Sequence, residues 1–297
     1  MTTVVLLGVT GLGLGALYFL MASGLSLTYG LLRVLNFSHG VFLTAGGYAA
    51  WLVAVSMEGP DALRWTAAVA AALAVGGGVA AAVELLLIRG LYGRHIEQIL
   101  ATVGVALALG ALAEGIFGAD PRVFPVPAAM RGVTPVLGAA VPNSRFIAIA
   151  AAILVLAAIG AFLRWTRWGL VVRAGVENRD MVRALGVDVQ RAFTLVFTLG
   201  GVLAALGGVL SDVYFGTVDP QRGTVMLIYA FIVVVIGGLG SITGSAAAAA
   251  LVGLFQQFAN YYGSVWWGYA SAGDLAVVLL LIVVLLVRPR GLAGGSA

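Results

Sequence analysis

Long stretches without a charged residue are the feature that most limits how this chain can fold. They occupy residues 4–32, 66–83, 99–113, 146–163, 192–211, 223–267 and 275–287. A helix that spans a bilayer needs roughly 20 mostly apolar residues, and several of these stretches meet that length. Because hydrocarbon offers the backbone no hydrogen bonds, only helices or closed barrels can cross it. Barrel strands would alternate polar and apolar residues, whereas these stretches are continuously apolar.

The pattern predicts an all-α fold, a polytopic transmembrane helical bundle of about 8–10 spanning helices, formed as a single domain by residues 1–297. We place nine membrane segments at 4–31, 39–57, 65–88, 98–118, 146–164, 192–211, 224–240, 244–262 and 273–288. Residues 32–40 could form a re-entrant turn. The glycine-rich run 237–244 predicts a turn between two helices, because glycine relieves backbone constraint. The many other small residues indicate close packing of membrane helices.

The distribution of arginine predicts the orientation in the membrane. All 16 basic residues are arginine, and short cytoplasmic loops carry an excess of positive charge. The alternating loops divide these arginines into sets of eleven and five. The larger set predicts a multi-pass membrane protein with its N-terminus outside and its C-terminus in the cytoplasm. The first basic residue is Arg33, so we expect no cleavable signal peptide.

Missing residue types exclude several kinds of site. The chain has no cysteine, which excludes disulfides and thiolate metal ligands. It also has no lysine, so it cannot form the lysine-containing phosphate loop of ATPases. Its two histidines have no acid near them in sequence, so we expect no metal site. We find no catalytic constellation and therefore expect neither an enzyme nor a cofactor, and no nucleic-acid partner.

Two loops stand out by their length. The outer loop, residues 120–145, contains five prolines and predicts a turn-rich cap rather than a helix. The inner loop, residues 165–191, is the most charged part of the chain. Within it, residues 179–185 predict a short helix with Asn178 as N-cap and Gly186 as a left-handed residue at the end. A helix this short is unstable alone, so the apolar face of Met181 and Leu185 must pack on the chain's own helices or on a soluble partner.

The inner loop resembles that of the inner-membrane permeases of the branched-chain amino acid type of ABC importers. The matching loop residues are Arg173, Ala174, Glu177, Asn178, Arg179, Leu185, Gly186, Val187 and Arg191. Residues 24–30, 36–40 and 46–48 are similar to the N-terminal signature of that family, with Ser38 where alanine is commoner. Residues 237–244 are similar to its glycine-rich turn, and residues 288–292 to its C-terminal motif. The resemblance therefore covers nearly the whole chain.

This resemblance implies a permease subunit that moves a small polar solute, such as a branched-chain or other amino acid, into the cytoplasm. It implies that residues 165–191 form a coupling loop for a separate ABC ATPase, which would bind the ATP. The implied coupling residues are Arg173, Glu177, Asn178, Met181, Leu185 and Gly186. Further implied partners are a second permease subunit, homologous or identical, a soluble extracytoplasmic substrate-binding protein and the lipid bilayer. Because the family carries several kinds of solute, amides and urea stay open as substrates.

Polar side chains within membrane segments are costly and often functional. The densest cluster is Asn36, Ser38 and His39. Thr102 lies at the start of the fourth segment, while Gln256 and Asn260 are four residues apart on the eighth. Two interpretations stay open for all six: they line the substrate pathway, or they tie down backbone and neighbouring helices. Glu84 and Glu114 lie near segment ends, where we expect no mid-membrane role.

The alternative function is a self-contained, ion-coupled secondary transporter. That class usually keeps acids or broken helices near the membrane midplane for its coupling ion. The predicted segments offer glycine, serine and threonine there, but no convincing carboxylate. A membrane-embedded enzyme, a third class, would need a catalytic constellation that the sequence lacks.

Overall fold

The computed structural model describes residues 1–32, 35–177, 181–182, 186, 188–269 and 271–293. Its helices in these ranges are α1 Thr2–Leu32, α2 His39–Ser56, α3 Asp61–Val83, α4 His95–Phe117, α5 Ala128–Arg131, α6 Asn143–Trp165, α7 Arg167–Glu177, α8 Val189–Phe215, α9 Arg222–Gly237, α10 Ile242–Trp267 and α11 Ala272–Val287. Its strands are β1 Arg122–Val123, β2 Val133–Val136, β3 Ala139–Pro142 and β4 Thr217–Val218. After α3 the chain continues through a π-helical turn, Glu84–Ile88, and a 3-10 turn, Arg89–Leu91.

Each predicted membrane segment coincides with an apolar helix, so the all-α, polytopic bundle is confirmed. Within the described ranges, seven helices are long and apolar enough to cross a membrane. The other two, α9 and α11, have 16 residues each. They span roughly 24 Å at 1.5 Å per residue, which is less than the roughly 30 Å of a hydrocarbon core.

The centre of the bundle is formed by α1 and α8, which are buried along most of their length. α1 packs against α6, α8, α9 and α10, and α8 also packs against α2 and α3. Glycine permits the closest of these approaches. A Cβ atom at Gly15 would overlap the carbonyl oxygen of Ala249 in α10, and one at Gly253 would overlap that of Gly11 in α1. This confirms that small residues serve helix packing here.

α4 differs from the central helices because it is covered very little by the rest of the protomer. Its only buried side chains are those of Gln98 and Thr102. Its neighbours are α2 and the turns that follow α3. Most of its apolar surface is therefore available to lipid or to another subunit.

The loops on either side of α6 define the two ends of the bundle. Before α6, β2 and β3 form an antiparallel hairpin, and β1 pairs with β4. The predicted cap over residues 120–145 is thus built of strands and turns, but the exclusion of helix was wrong for Ala128–Arg131. That single turn begins after Pro127, whose carbonyl oxygen accepts from the Met130 amide at 2.9 Å. We call this the hairpin end, and the opposite end, after α6, the α7 end.

The glycine-rich turn between α9 and α10 is confirmed. The Ser241 hydroxyl caps α10 by accepting from the Gly244 amide at 3.1 Å, and Gly240 has φ +83°. The C-terminal motif folds back onto this turn, since the Leu292 amide donates to the Ile236 carbonyl oxygen at 2.8 Å. Two motifs that lie about 50 residues apart in sequence therefore form one unit.

Candidate functional site

The predicted coupling loop begins with a helix that the sequence analysis did not predict. α7 starts directly after Thr166, whose hydroxyl accepts from the Gly169 amide at 2.9 Å. A Cβ at Gly169 would overlap the carbonyl oxygen of Phe162, so glycine permits the sharp turn from α6 into α7. Val172 is buried in the main core, while Leu170 and Arg173 are exposed. α7 thus lies along the end of the bundle with one face packed on it.

The predicted coupling residues fall on both sides of the end of α7. Arg173 lies within the helix and Glu177 is its last residue, whereas the prediction placed both before a short helix over residues 179–185. Asn178 and Leu185 lie outside the described residues, so the cap and the extent of that short helix are untested. Gly186 has φ +78°, which confirms the left-handed conformation expected of it.

Met181 and Val182 are helical and point in different directions. The Met181 side chain is 63% exposed, whereas that of Val182 is 5% exposed and belongs to the main core. Val182 therefore packs on the bundle itself, whereas the prediction treated it only as a neighbour of the apolar face of Met181 and Leu185. Met181 presents an apolar side chain outward at the α7 end.

The exit from this loop is fixed to the start of α8. The Asp188 carboxylate accepts from the backbone amides of Gln190 and Arg191 at 3.1 and 3.2 Å. This is the arrangement of an N-cap, which satisfies amides that the helix itself leaves free. Arg89, in the turn after α3, donates to the Gln190 side chain at 3.1 Å. Movement of the loop would therefore be passed to α8 and to the end of α3.

Glu84 lies directly after α3, near a segment end as predicted, but its side chain is completely buried. One carboxylate oxygen accepts from the Thr194 hydroxyl at 2.7 Å, and the other accepts from the Tyr92 hydroxyl. The residue also opens the π-helical turn, a form that is frequent at functional sites. The cluster joins α3, the following turn and α8. No sequence pattern predicts this cluster, because Thr194 lies 110 residues from Glu84 along the chain.

The predicted cluster of Asn36, Ser38 and His39 lies at the break between α1 and α2. The Asn36 side-chain oxygen accepts from the Ser38 amide at 3.0 Å and from its hydroxyl at 2.6 Å. These bonds favour the interpretation that both residues tie down the broken backbone. A role for them in the substrate pathway stays a prediction.

His39 is fully buried at the start of α2. The Met21 carbonyl lies nearby, but neither ring nitrogen makes a hydrogen bond to a described residue. The ring packs against Gly24 of α1, where a Cβ would come within 2.9 Å of it, and near Gly200 of α8. His39 thus occupies a space that two glycines leave open.

Gln256 belongs to a polar network that joins four helices. Its side-chain oxygen accepts from the Tyr18 hydroxyl at 2.6 Å, and its amide nitrogen donates to Asp274 at 2.9 Å. The Tyr229 hydroxyl donates to the same Asp274 oxygen at 2.7 Å, and the Tyr18 and Tyr229 rings stack at 4.8 Å. The Asp274 carboxylate of α11 therefore joins α9 and α10 directly, and Gln256 extends the network to α1.

Asn260 and Thr102 make local backbone contacts. The Asn260 side-chain oxygen accepts from the Gly273 amide at 2.7 Å, in the first turn of α11. The Thr102 hydroxyl donates to the Ile99 carbonyl oxygen at 2.9 Å. These bonds favour the interpretation that both side chains tie down the backbone. A role in lining the substrate pathway stays a prediction for Asn260, Thr102 and Gln256.

Asp212 and Arg222, which fall between the predicted membrane segments 192–211 and 224–240, form a buried ion pair. α8 extends to Phe215, four residues beyond the predicted end, so Asp212 lies inside it. The Asp212 Oδ1 and Arg222 Nε atoms are 3.7 Å apart, and their side chains are 3% and 11% exposed. Among the described residues, no group of three or more His, Cys, Asp or Glu could hold a metal ion.

Comparison with known proteins agrees with this architecture. Residues 8–287 match the family model described as the branched-chain amino acid transport system permease component. The chain belongs to this family. One relative is the high-affinity branched-chain amino acid transport system permease protein LivH of Escherichia coli, which is 27% identical over 96% of this chain and 93% of its own length.

Two further comparisons agree with the assignment. The permease protein BraD of Pseudomonas aeruginosa, named for the same kind of transport system, is 28% identical over 96% of this chain and 94% of its own length. Among solved structures, PsaBC from Streptococcus pneumoniae in complex with Fab has a TM-score of 0.52 at 12% identity, and the match covers 95% of this chain and 91% of that one. The latter likeness concerns the fold alone.

Proposed function

We propose that this permease is the membrane subunit of an ABC importer that carries branched-chain amino acids into the cytoplasm. The observation that supports this most is the family match over residues 8–287, because it includes nearly every membrane helix. Relatives named for high-affinity branched-chain amino acid transport support the choice of solute.

We infer that energy comes from a separate ATPase subunit, which binds the ATP. The chain has no lysine and so cannot form a phosphate loop. Residues 165–191 would dock on that ATPase. Of the predicted coupling residues, Arg173, Met181 and Gly186 lie at the α7 end in the part of the chain that the structure describes, and they would contact it. A second permease subunit and a soluble extracytoplasmic binding protein would complete the importer, and the chain itself would need no cofactor.

The α7 end is the cytoplasmic end in this proposal. It carries most of the arginines, among them Arg89, Arg167, Arg173 and Arg191, and the excess of arginine marks cytoplasmic loops. The hairpin end and the N-terminus would then face outward, where the binding protein delivers the solute.

The secondary-transporter alternative deserves a second test, because the bundle does contain buried carboxylates. Glu84 and Asp212 were not expected inside it. However, Glu84 accepts from two hydroxyl groups and Asp212 lies beside Arg222. Each also lies close to an end of its bundle helix rather than near the middle. This arrangement supports structural pairing more than a coupling-ion site at the midplane.

The first prediction concerns the energy source. The purified chain alone is expected to hydrolyse no ATP. Reconstituted in proteoliposomes with its ATPase, its second permease subunit and its binding protein, it is expected to take up labelled leucine only when ATP is supplied, and a proton ionophore should leave that uptake unchanged. Leucine uptake that follows an ion gradient without ATP would instead establish the secondary-transporter alternative.

The second prediction concerns orientation, and the absence of cysteine makes it simple to test. Val133 in the hairpin and Leu170 in α7 are 55% and 60% exposed. An impermeant thiol reagent added to intact cells is expected to label Val133→Cys but not Leu170→Cys, and permeabilised cells should label both. The opposite pattern in intact cells would reverse the orientation.

A further inference from the structure

An open groove of about 650 Å³ lies at the α7 end, between α8 and the turns that follow α3. On α8 its wall begins at Arg191 and continues with Leu195 and Leu199. Leu199 lies roughly 12 Å deeper along the helix than Arg191, at 1.5 Å per residue. The opposite wall has the same order, with Arg89 at the end of the bundle and Leu85 about one turn deeper. The groove therefore has two cations at its mouth and an apolar interior.

Both arginine side chains are fixed at the mouth through one nitrogen atom each. Arg89 Nη2 donates to Gln190 Oε1 at 3.1 Å, and Arg191 Nε lies 2.9 Å from Asp188 Oδ2. In the part of the chain that the structure describes, Arg89 forms no ion pair. A guanidinium carries five N–H donors in a planar fork that matches the oxygen atoms of a phosphate. Each arginine thus has further donors to offer to an anion at the mouth.

The carboxylate of Glu84 lies behind the groove wall rather than in it. Its side chain is fully buried, and its oxygens accept from the hydroxyl groups of Thr194 and Tyr92. Thr194 is the residue that separates it from the groove. The same end of the bundle also carries Arg167 and Arg173. Arginine therefore dominates the charge around the mouth, and the resulting potential favours a negatively charged ligand.

The turn beside the groove exposes apolar side chains almost up to Arg89. Leu85, Leu86 and Leu87 are consecutive in sequence and are 46%, 81% and 43% exposed. A contiguous apolar surface of this kind is uncommon in contact with water, whereas acyl chains cover it readily. The step from these leucines to Arg89 therefore marks the level at which lipid headgroups meet hydrocarbon.

We propose that this groove binds an anionic phospholipid. The phosphate lies between the guanidinium groups of Arg89 and Arg191, and one acyl chain follows Leu195 and Leu199 along α8. A free phosphate ion would occupy the mouth alone and leave the apolar walls uncovered, so a lipid matches more of the groove. The bound headgroup joins the end of α3 to the start of α8. This inference goes beyond the proposed function and does not depend on which solute is carried.

The test measures the lipid bound to the assembled importer in a neutral detergent, with phosphatidylglycerol and phosphatidylcholine as the two probes. Native mass spectrometry during a titration gives the affinity for each lipid. The wild type is expected to prefer phosphatidylglycerol. Arg89→Gln combined with Arg191→Gln should lower the affinity for phosphatidylglycerol by roughly thirtyfold, about fivefold for each arginine at the headgroup level. The affinity for phosphatidylcholine should stay unchanged.

Arg94→Gln combined with Arg290→Gln is the matched control, because it removes the same charge from the same end of the bundle. Arg94 pairs with Glu97 and its side chain is 67% exposed, Arg290 is exposed, and neither lines the groove. This control should keep the preference for phosphatidylglycerol. If the first double variant fails to assemble, Arg191→Gln alone keeps the contact between Arg89 and Gln190 and should lower the affinity about fivefold.

An uncharged variant tests the acyl chain separately. Thr198 lines the groove next to Leu199, so Thr198→Trp fills the interior while both arginines stay in place. It should lower the affinity for phosphatidylglycerol about tenfold, the size of effect that a few methylene groups cause in an apolar pocket. The thermal midpoint of each variant without added lipid reports whether its fold is intact.

Three results would overturn the proposal. The first is equal binding of the two lipids by the wild type, which would mean that a partner subunit covers the groove. The second is an equal loss of phosphatidylglycerol in the groove variant and its matched control, because overall charge alone would then explain the preference. The third is full affinity in a folded Thr198→Trp variant, since the mouth would then hold a free anion such as inorganic phosphate without an acyl chain.

Discussion

Combined replacement of Met181 and Leu185 by aspartate is expected to abolish ATP-dependent uptake while the protein still inserts in the membrane. Met181 is helical, apolar and 63% exposed at the α7 end, where we propose that the ATPase docks. Burial of one such side chain contributes about 1.5–3 kcal/mol, which corresponds to roughly ten- to a hundredfold in affinity. An aspartate there would place an unpaired charge in an apolar groove, which costs still more. Uptake in proteoliposomes and co-purification of the ATPase measure the effect.

Two controls separate loss of docking from loss of folding. Leu137→Asp changes an apolar residue that is 82% exposed at the hairpin end and should leave ATPase binding intact. Aspartate also tolerates its positive φ, 49°, better than leucine does. Val182→Asp charges the buried neighbour of Met181 and should reduce the amount of folded protein. Full uptake by the double variant would show that the loop is only a solvated connector and would favour the secondary-transporter alternative.

The membrane helices could be predicted because the bilayer imposes a simple rule on sequence. A segment must be long and uncharged to cross hydrocarbon, and every predicted segment proved to be an apolar helix. The left-handed Gly186 and the glycine turn before α10 could be predicted because each depends on a local backbone property. In both cases the decisive information lies within a few residues of the position concerned.

The polar interior could not be predicted, because its partners are distant in sequence. The predicted sixth segment stopped before Asp212, because a charged residue normally ends an apolar stretch. Asp212 is nevertheless buried, because Arg222 lies beside its carboxylate and Gly47 has no Cβ atom to overlap it. Glu84 is buried for a similar reason, with a hydroxyl partner 110 residues away. A charged residue in the sequence indicates a free-energy cost of burial, and only the packed bundle shows whether a partner offsets that cost.

α7 was missed for a different reason. Membrane segments are predicted from the length of uncharged stretches, whereas residues 167–177 contain three charged residues, two arginines and a glutamate. The helix follows instead from a periodic apolar face, with Gly169 and Val172 buried and Leu170 and Arg173 exposed. An amphipathic pattern of this kind, read separately from the spanning segments, would have predicted a helix that lies on the bundle rather than through it.

Replacement of Gly15 by alanine is expected to destabilise the whole bundle, although it adds a single methyl group. A Cβ at Gly15 would overlap the Ala249 carbonyl oxygen and come within 3.1 Å of the Ala250 Cα atom. These are backbone atoms that cannot rotate away, so α1 and α10 must separate along the centre of the protein. Overpacking of this kind typically costs about 1–3 kcal/mol. The thermal midpoint of the purified protein in detergent measures the loss.

Gly8 provides a matched control within the same helix, two turns away from Gly15. A Cβ at Gly8 has no neighbouring atom within 4 Å, so Gly8→Ala makes the same chemical change without the overlap. Alanine is also the better helix former, by about 1 kcal/mol in soluble helices. We therefore expect Gly8→Ala to keep or raise the midpoint and Gly15→Ala to lower it. Equal midpoints for the two variants would mean that α1 and α10 are not in backbone contact, and that the close packing of these helices is not what holds the bundle together.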